Sequence, residues 1–194
     1  MSIGLAKPCP ATYDDLVRLP EHVVGEIVDS ELVVSPRPAP RHALASSALG
    51  GEVIGPFGRG NLGGPGGWLI LFEPELHLGQ QVLVPDLSGW RIERMPTLPD
   101  TAWFTVAPDW VCEVLSPSTA ILDRTRKSAI YREQGVQWLW FVDPAAHTIE
   151  VLKRTDEHWI LAGSYGGDTQ VPIPPFEAVS INLAALWGNS LTIP

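Results

Sequence analysis

Short apolar runs broken by glycine and proline alternate along this chain with two longer stretches where small and apolar residues recur at helical spacing. Thr12 caps a short helix that begins at Tyr13-Asp14-Asp15-Leu16 and stops before Pro20. Val23 to Val28, Asp29-Ser30 and Glu31 to Ser35 predict a two-residue β-hairpin, with Asp-Ser a weaker turn than Asp-Gly. After the Pro-rich bend Pro36 to Pro40, a helix is expected from Arg41 to about Ile54. Gly50 and Gly51 weaken its propensity while permitting close packing. Gly55 to Gly67, with seven glycines, is a loop that lacks the lysine and Ser/Thr of a phosphate-binding P-loop. Strands follow over Trp68 to Leu78, where Pro74 marks an edge or bulge, and over Gln81 to Ile92. Beyond the loop Glu93 to Pro108, the run from Trp110 to Leu115 reads as a largely buried strand. Ser118 or Thr119 then caps a helix to about Gln134, stopped by Gly135. Val136 to Val142 is a further buried strand. His147 to Lys153 and His158 to Ser164 form a meander, and Leu183 to Trp187 a last short helix.

That order predicts an α/β fold with a mixed sheet flanked by helices, an extra N-terminal hairpin and a C-terminal β-meander. At 194 residues, the chain is expected to form a single domain over 1–194. A hydrophobic content of 45% with eight tryptophans is ample for a packed core and excludes a disordered chain. No apolar run reaches the ~18 residues of a membrane span, and the N-terminus lacks the pattern of a signal peptide. Cys9 and Cys112 are the only cysteines, so a cytoplasmic protein with two reduced thiols is expected, without a zinc site.

Charge complicates the choice of partner. The formal net charge is −9 and the isoelectric point about 4.9, which argues against nonspecific DNA binding by the bulk surface. The 13 Lys and Arg are uneven, however. Arg124, Arg126, Lys127 and Arg132 cluster, and Arg37 and Arg41 group beside His42. Nucleic-acid binding is compatible with this charge if part of the negative excess sits in a metal site.

Two acidic residues at the edges of apolar runs suggest such a site. Asp86 ends Val82-Leu83-Val84-Pro85-Asp86, and Glu113 lies within Trp110-Val111-Cys112-Glu113-Val114-Leu115. A carboxylate in a buried strand is costly unless paired, hydrogen-bonded or bound to a cation. Two on neighbouring strands can share an ion, since same-face neighbours place Cβ atoms ~5 Å apart. A turn-capping aspartate and a structural ion pair are the plain alternatives.

These residues belong to a longer pattern. Tyr13-Asp14-Asp15-Leu16, Gly25 to Pro36, Arg41-His42, Val84-Pro85-Asp86-Leu87, Pro108 to Thr119, Asp123, Lys127, Tyr131, Gly135 to Trp140 and Asp143-Pro144 together resemble the Uma-two family of restriction endonucleases. This family, formerly a domain of unknown function, lies in the PD-(D/E)XK nuclease superfamily. The resemblance spans about 11–190 and implies a restriction-endonuclease-like core. It implies a Mg²⁺- or Mn²⁺-dependent endonuclease acting on DNA, with Asp86, Glu113 and the Val114 carbonyl as metal ligands. The Glu-X-Lys lysine of that superfamily is missing, because Leu115 occupies its place.

Lys127 is the candidate substitute. Asp123, Lys127 and Tyr131 are spaced by four, so they share a helix face that can return over the end of the Glu113 strand. A surface Asp123–Lys127 pair is the alternative. Glu26 matches the first glutamate of the family's Glu-X-X-Asp-Gly-Glu pattern, with Ser30 at the glycine, and is expected on a buried face as a second-tier catalytic group. Glu75, or Glu73 two residues earlier, and His42 are possible additions to the cluster. Trp138 and Trp140 read as packing residues. A catalytically silent nucleic-acid- or protein-binding module on the same fold is the alternative function, and a homodimer is the expected assembly.

Overall fold

The computed structural model describes residues 10–188; Cys9 lies outside them. After α1 (Tyr13–Val17), β1 (Val23–Val28) and β2 (Glu31–Pro36) form the expected hairpin. Then comes α2 (Pro40–Val53), which runs into a π-helical turn, Ile54–Gly58. The expected glycine loop therefore starts only after this turn. Gly50 does permit close packing: a Cβ there would lie 1.9 Å from the Phe72 ring. The strands β3 (Trp68–Phe72), β4 (Leu76–Leu78), β5 (Gln81–Leu83), β6 (Leu87–Arg91) and β7 (Trp110–Val114) follow. A long helix then runs as α3 (Ala120–Leu122), a π-helical turn (Asp123–Lys127) and α4 (Ser128–Glu133). The chain continues through β8 (Trp138–Asp143), β9 (Thr148–Arg154), β10 (Trp159–Gly166), β11 (Gln170–Val171), β12 (Ile181–Asn182) and α5 (Leu183–Trp187).

Six strands in the order β10-β9-β8-β7-β6-β3 make the main sheet. Strands β7 and β8 run parallel and the other neighbours antiparallel, so the sheet is mixed. A parallel pair requires a crossover, which the long helix provides. On one face Trp110, Cys112 and Val114 pack with Ala45, Leu49 and Val53 of α2. On the other, Val111 and Leu115 pack with Ile130 and Tyr131 of α4. Cover on both faces explains why the β7 run is apolar on both sides apart from Glu113. Strand alternation then aims Glu113 at the crossover helix, on the side of Val111 and Leu115.

The stretches Trp68 to Leu78 and Gln81 to Ile92 are not two strands but four. Each breaks at its proline, Pro74 or Pro85, and changes sheet there. The base of this long hairpin, β3 with β6, belongs to the main sheet. Its tip, β4 with β5, joins a second sheet of order β2-β1-β5-β4. Proline has no N–H to continue a ladder, so the sheets part where the two prolines fall. Glu73 sits at the bend with φ 43°, and its N–H donates to the Asp86 carbonyl at 3.1 Å. Asp86 thus lies at the seam between the sheets and not within a strand.

In the first hairpin both turn residues have positive φ, 51° at Asp29 and 67° at Ser30, the backbone of a type I′ turn. Arg126 braces this strained turn from the crossover helix: Nε donates to Asp29 at 2.9 Å, Nη1 to Glu31 at 2.7 Å and Nη2 to the Val28 carbonyl at 2.6 Å. Ser30→Gly removes the left-handed penalty of a side chain, part of which returns as unfolded-state entropy. A net gain of about 0.5–1 kcal/mol is expected, roughly 2–3 °C in a thermal melt.

Candidate active site

Three elements bring the acidic residues together. Glu26 comes from β1, Asp86 from the seam before β6, and Glu113 from β7, while the crossover helix lowers Asp123 and Lys127 onto them. Leu87 pairs with Cys112, so the residue before it, Asp86, arrives beside Glu113. One Asp86 oxygen accepts the Val114 N–H at 2.7 Å, and the other faces His42 Nε2 at 3.3 Å. His42 Nδ1 is buried without a hydrogen-bond partner.

Lys127 is 3% exposed, yet it carries an ammonium. Its Nζ lies 2.9 Å from Glu26, 2.9 Å from Glu113 and 3.5 Å from Asp123. The plain alternative, a surface pair with Asp123, is therefore replaced by a buried cluster. Leu115 stays on the same sheet side as Glu113 and packs in the apolar cluster. The lysine reaches that side from the helix instead, at the end of the π-helical turn. Tyr131, one turn on, is fully buried and donates its hydroxyl to Glu113 Oε1 at 2.6 Å. Glu26 Oε1 in turn accepts the Val84 N–H at 2.8 Å, tying the second sheet to the lysine.

Burial raises the Glu113 pKa well above its ordinary value; Lys127 opposes this, and Asp123, Asp86 and Glu26 add to it. Asp123 is raised for the same first reason, again against Lys127. For Lys127 burial works downward, but Glu113, Glu26, Tyr131 and Asp123 outweigh it, so the ammonium is held well above its ordinary value. The Tyr131 hydroxyl is pushed well up by burial and by Glu113, so it remains a donor. Burial also works downward on His42, while the hydrogen bond and charge of Asp86 win and raise it. Cys112, beneath the site, is buried, free and raised by desolvation, which leaves its thiol inert.

Glu26, His42, Asp86, Glu113, Asp123 and Lys127 line a cleft of about 220 Å³, with Arg37 and Glu73 among its walls. Its carboxyl groups, on Glu26, Asp86, Glu113 and Asp123, outnumber the Lys127 ammonium and the His42 ring, and oxygen donors of this kind suit a hard cation. Among the described residues no three His, Cys, Asp or Glu side chains are gathered ready for one metal ion. An ion here would rest on Asp86, Glu113, the Val114 carbonyl and water, and one or two carboxylates with water are what magnesium ordinarily takes.

Glu75 does not join. It binds the Tyr13 hydroxyl at 3.0 Å and His77 Nε2 at 2.7 Å, because the Pro74 bend carries it into the second sheet. Glu73 stays at the cleft. Trp140 is core, packed edge-on to Trp110, as its alternation implied. Arg37 at the cleft wall was visible in the sequence only as part of a basic group; its neighbour Glu73 is distant in sequence and close only in space.

The sequence model of the Uma2 family, described as "Putative restriction endonuclease", matches residues 11–184. A crystal structure of a putative nuclease belonging to DUF820 from Anabaena variabilis ATCC 29413 superposes with a TM-score of 0.72. It is 23% identical, over 92% of this chain and 98% of that one. At that identity the likeness shows the fold. No curated protein matches the chain significantly. Among the described residues no helix is long and apolar enough to cross a membrane.

Proposed function

Because the chain belongs to the Uma2 family, whose description is "Putative restriction endonuclease", we propose that its cleft hydrolyses DNA phosphodiester bonds with a divalent cation, Mg²⁺ or Mn²⁺. The observation that carries this reading is Lys127, an ammonium brought from the crossover helix to 2.9 Å from Glu113 on β7. It stands in for the lysine that Leu115 displaces. Asp86, Glu113 and the Val114 carbonyl would hold the ion. Such an ion, when bound, polarises a phosphate and lowers the pKa of a water.

The chain's own groups would do the rest. Held as a cation, Lys127 can neutralise charge growing on the phosphate, but it is no base at neutral pH. Glu26, anchored on the Val84 N–H, fixes the direction of that ammonium. Tyr131 fixes Glu113 in the same way, and His42 and the Val114 N–H orient Asp86. The free thiol of Cys112 suits the reducing cytoplasm. Cutting both strands of a duplex suits a homodimer, which light scattering of the purified protein tests.

Asp86→Ala should lower divalent-dependent nicking of supercoiled plasmid by at least about a hundredfold while the thermal melt stays cooperative. An unchanged rate would remove Asp86 from the chemistry. A wild-type protein that binds DNA without cutting it in Mg²⁺ or Mn²⁺ would instead be the silent binding module.

A further inference from the structure

A cleft so acidic must still admit a polyanion, and its cations are unequally free to help. Lys127 is 3% exposed and surrounded by three carboxylates. The side chain of His42 is 14% exposed and turned to Asp86. Arg37 differs: its side chain is 57% exposed and it lines the same cleft. Its contacts are loose. Nη1 stands 3.8 Å from Glu73 Oε2, itself 46% exposed, and Nη2 donates to the Glu21 carbonyl at 3.2 Å. An exposed pair at that distance contributes little and is readily exchanged for a better acceptor. A phosphate offers guanidinium two parallel acceptors, which one carboxylate oxygen at 3.8 Å does not.

Both members of this pair are placed by the backbone. Arg37 lies between Pro36, the end of β2, and Pro38, in the short link to Pro40, the start of α2. Prolines on either side restrict the link, so presenting the guanidinium costs little further ordering. Glu73 sits at positive φ, its N–H tied to the Asp86 carbonyl at 3.1 Å, at the bend where the long hairpin changes sheet. A non-glycine residue held in that region marks a place where the fold imposes a direction. The direction imposed here sets a carboxylate beside the one loosely held cation among the cleft-lining residues.

We propose that Arg37 is the phosphate clamp of the cleft. It would grip a backbone phosphate neighbouring the one that reaches Asp86 and Glu113, and Glu73 is the resident anion that a phosphate displaces. This rests on the nucleic-acid reading above and adds to it a substrate contact and an acidic gate. It also gives a protein of net charge −9 a local cationic contact for DNA at the cleft itself.

The test uses fluorescein-labelled single-stranded and duplex oligonucleotides, read by anisotropy across a KCl series, with full-length protein carrying Glu113→Gln to prevent cutting. In that background Arg37→Gln should weaken binding about tenfold and reduce the salt slope by about one. Glu73→Gln should tighten binding severalfold at fixed salt, because the competing anion is gone. Arg37→Lys should recover only part of the affinity, since an ammonium cannot make the paired contact. Melting curves of the Arg37 and Glu73 variants matching their parent exclude misfolding. Oligonucleotide binding that ignores both substitutions overturns the clamp and leaves the nuclease reading standing. Absence of binding by every variant and the parent overturns both.

Discussion

Lys127→Met is expected to cost about 3–5 kcal/mol at pH 7, the scale for removing one member of a buried ionic cluster. In thermal unfolding that is on the order of 10 °C for a domain of this size. Methionine keeps most of the lysine's volume, so the loss reports charge and not a cavity. Without the ammonium, Glu26, Glu113 and Asp123 face one another in a site from which water is largely excluded. The variant should recover as pH falls, because carboxyls that take up protons no longer repel. Urea unfolding at pH 7 and pH 4 measures both parts. A variant as stable as wild type at pH 7 would mean that the carboxylates are already neutral there and that Lys127 has no charge to balance.

Glu113→Gln carries the opposite sign. Glu113 binds its proton more tightly in the folded protein than in the unfolded chain, chiefly because it is buried. Its contribution to stability is full below the ordinary value of 4.5 and is lost as pH climbs through the raised folded value. Glutamine copies the protonated carboxyl at every pH and keeps an acceptor for Tyr131 and Lys127. The variant should therefore match wild type near pH 4 and exceed it at pH 7, by about 1–2 kcal/mol. Divalent-dependent cleavage should fall at least about a hundredfold, since a carbonyl is a far poorer ligand for a hard cation than a carboxylate. Gain in melting temperature together with loss of cleavage identifies a charge kept for chemistry. No gain at pH 7 would make Glu113 a fully compensated structural ion.

That Lys127 could approach Glu113 was legible beforehand, beside the alternative of a surface pair with Asp123. Helical spacing placed Asp123, Lys127 and Tyr131 on one face. The choice between the two was made by the parallel pairing of β7 and β8 in the structure, because a crossover helix must pack on the sheet it bridges. Less was legible where the chain changed sheets. The runs around Pro74 and Pro85 keep their apolar character through the bend, so periodicity read them as two strands. That error grouped Glu75 with Glu73, whereas the bend sends Glu75 to Tyr13 and His77 and leaves Glu73 facing Arg37. The Asp29-Ser30 turn was legible as a two-residue connection despite its poor chemistry. What holds it there, the fork of Arg126, comes from the far side of the sequence.

By itself, then, the sequence determined most of the elements, the mixed α/β class and the family, and it singled out Asp86, Glu113 and Lys127 as candidates. The elements and the class follow from local sterics and side-chain period, and the family from the resemblance of motif segments spread along the chain. Only the tertiary structure decided that Glu26 shares the Lys127 ammonium, that Tyr131 holds Glu113, that Asp86 lies on the seam of two sheets and that Arg37 meets Glu73. These are meetings between distant segments, set by where two prolines end their ladders and by which faces the core leaves to be covered. A pattern of period two or 3.6 says which side a residue takes, but not what waits on that side.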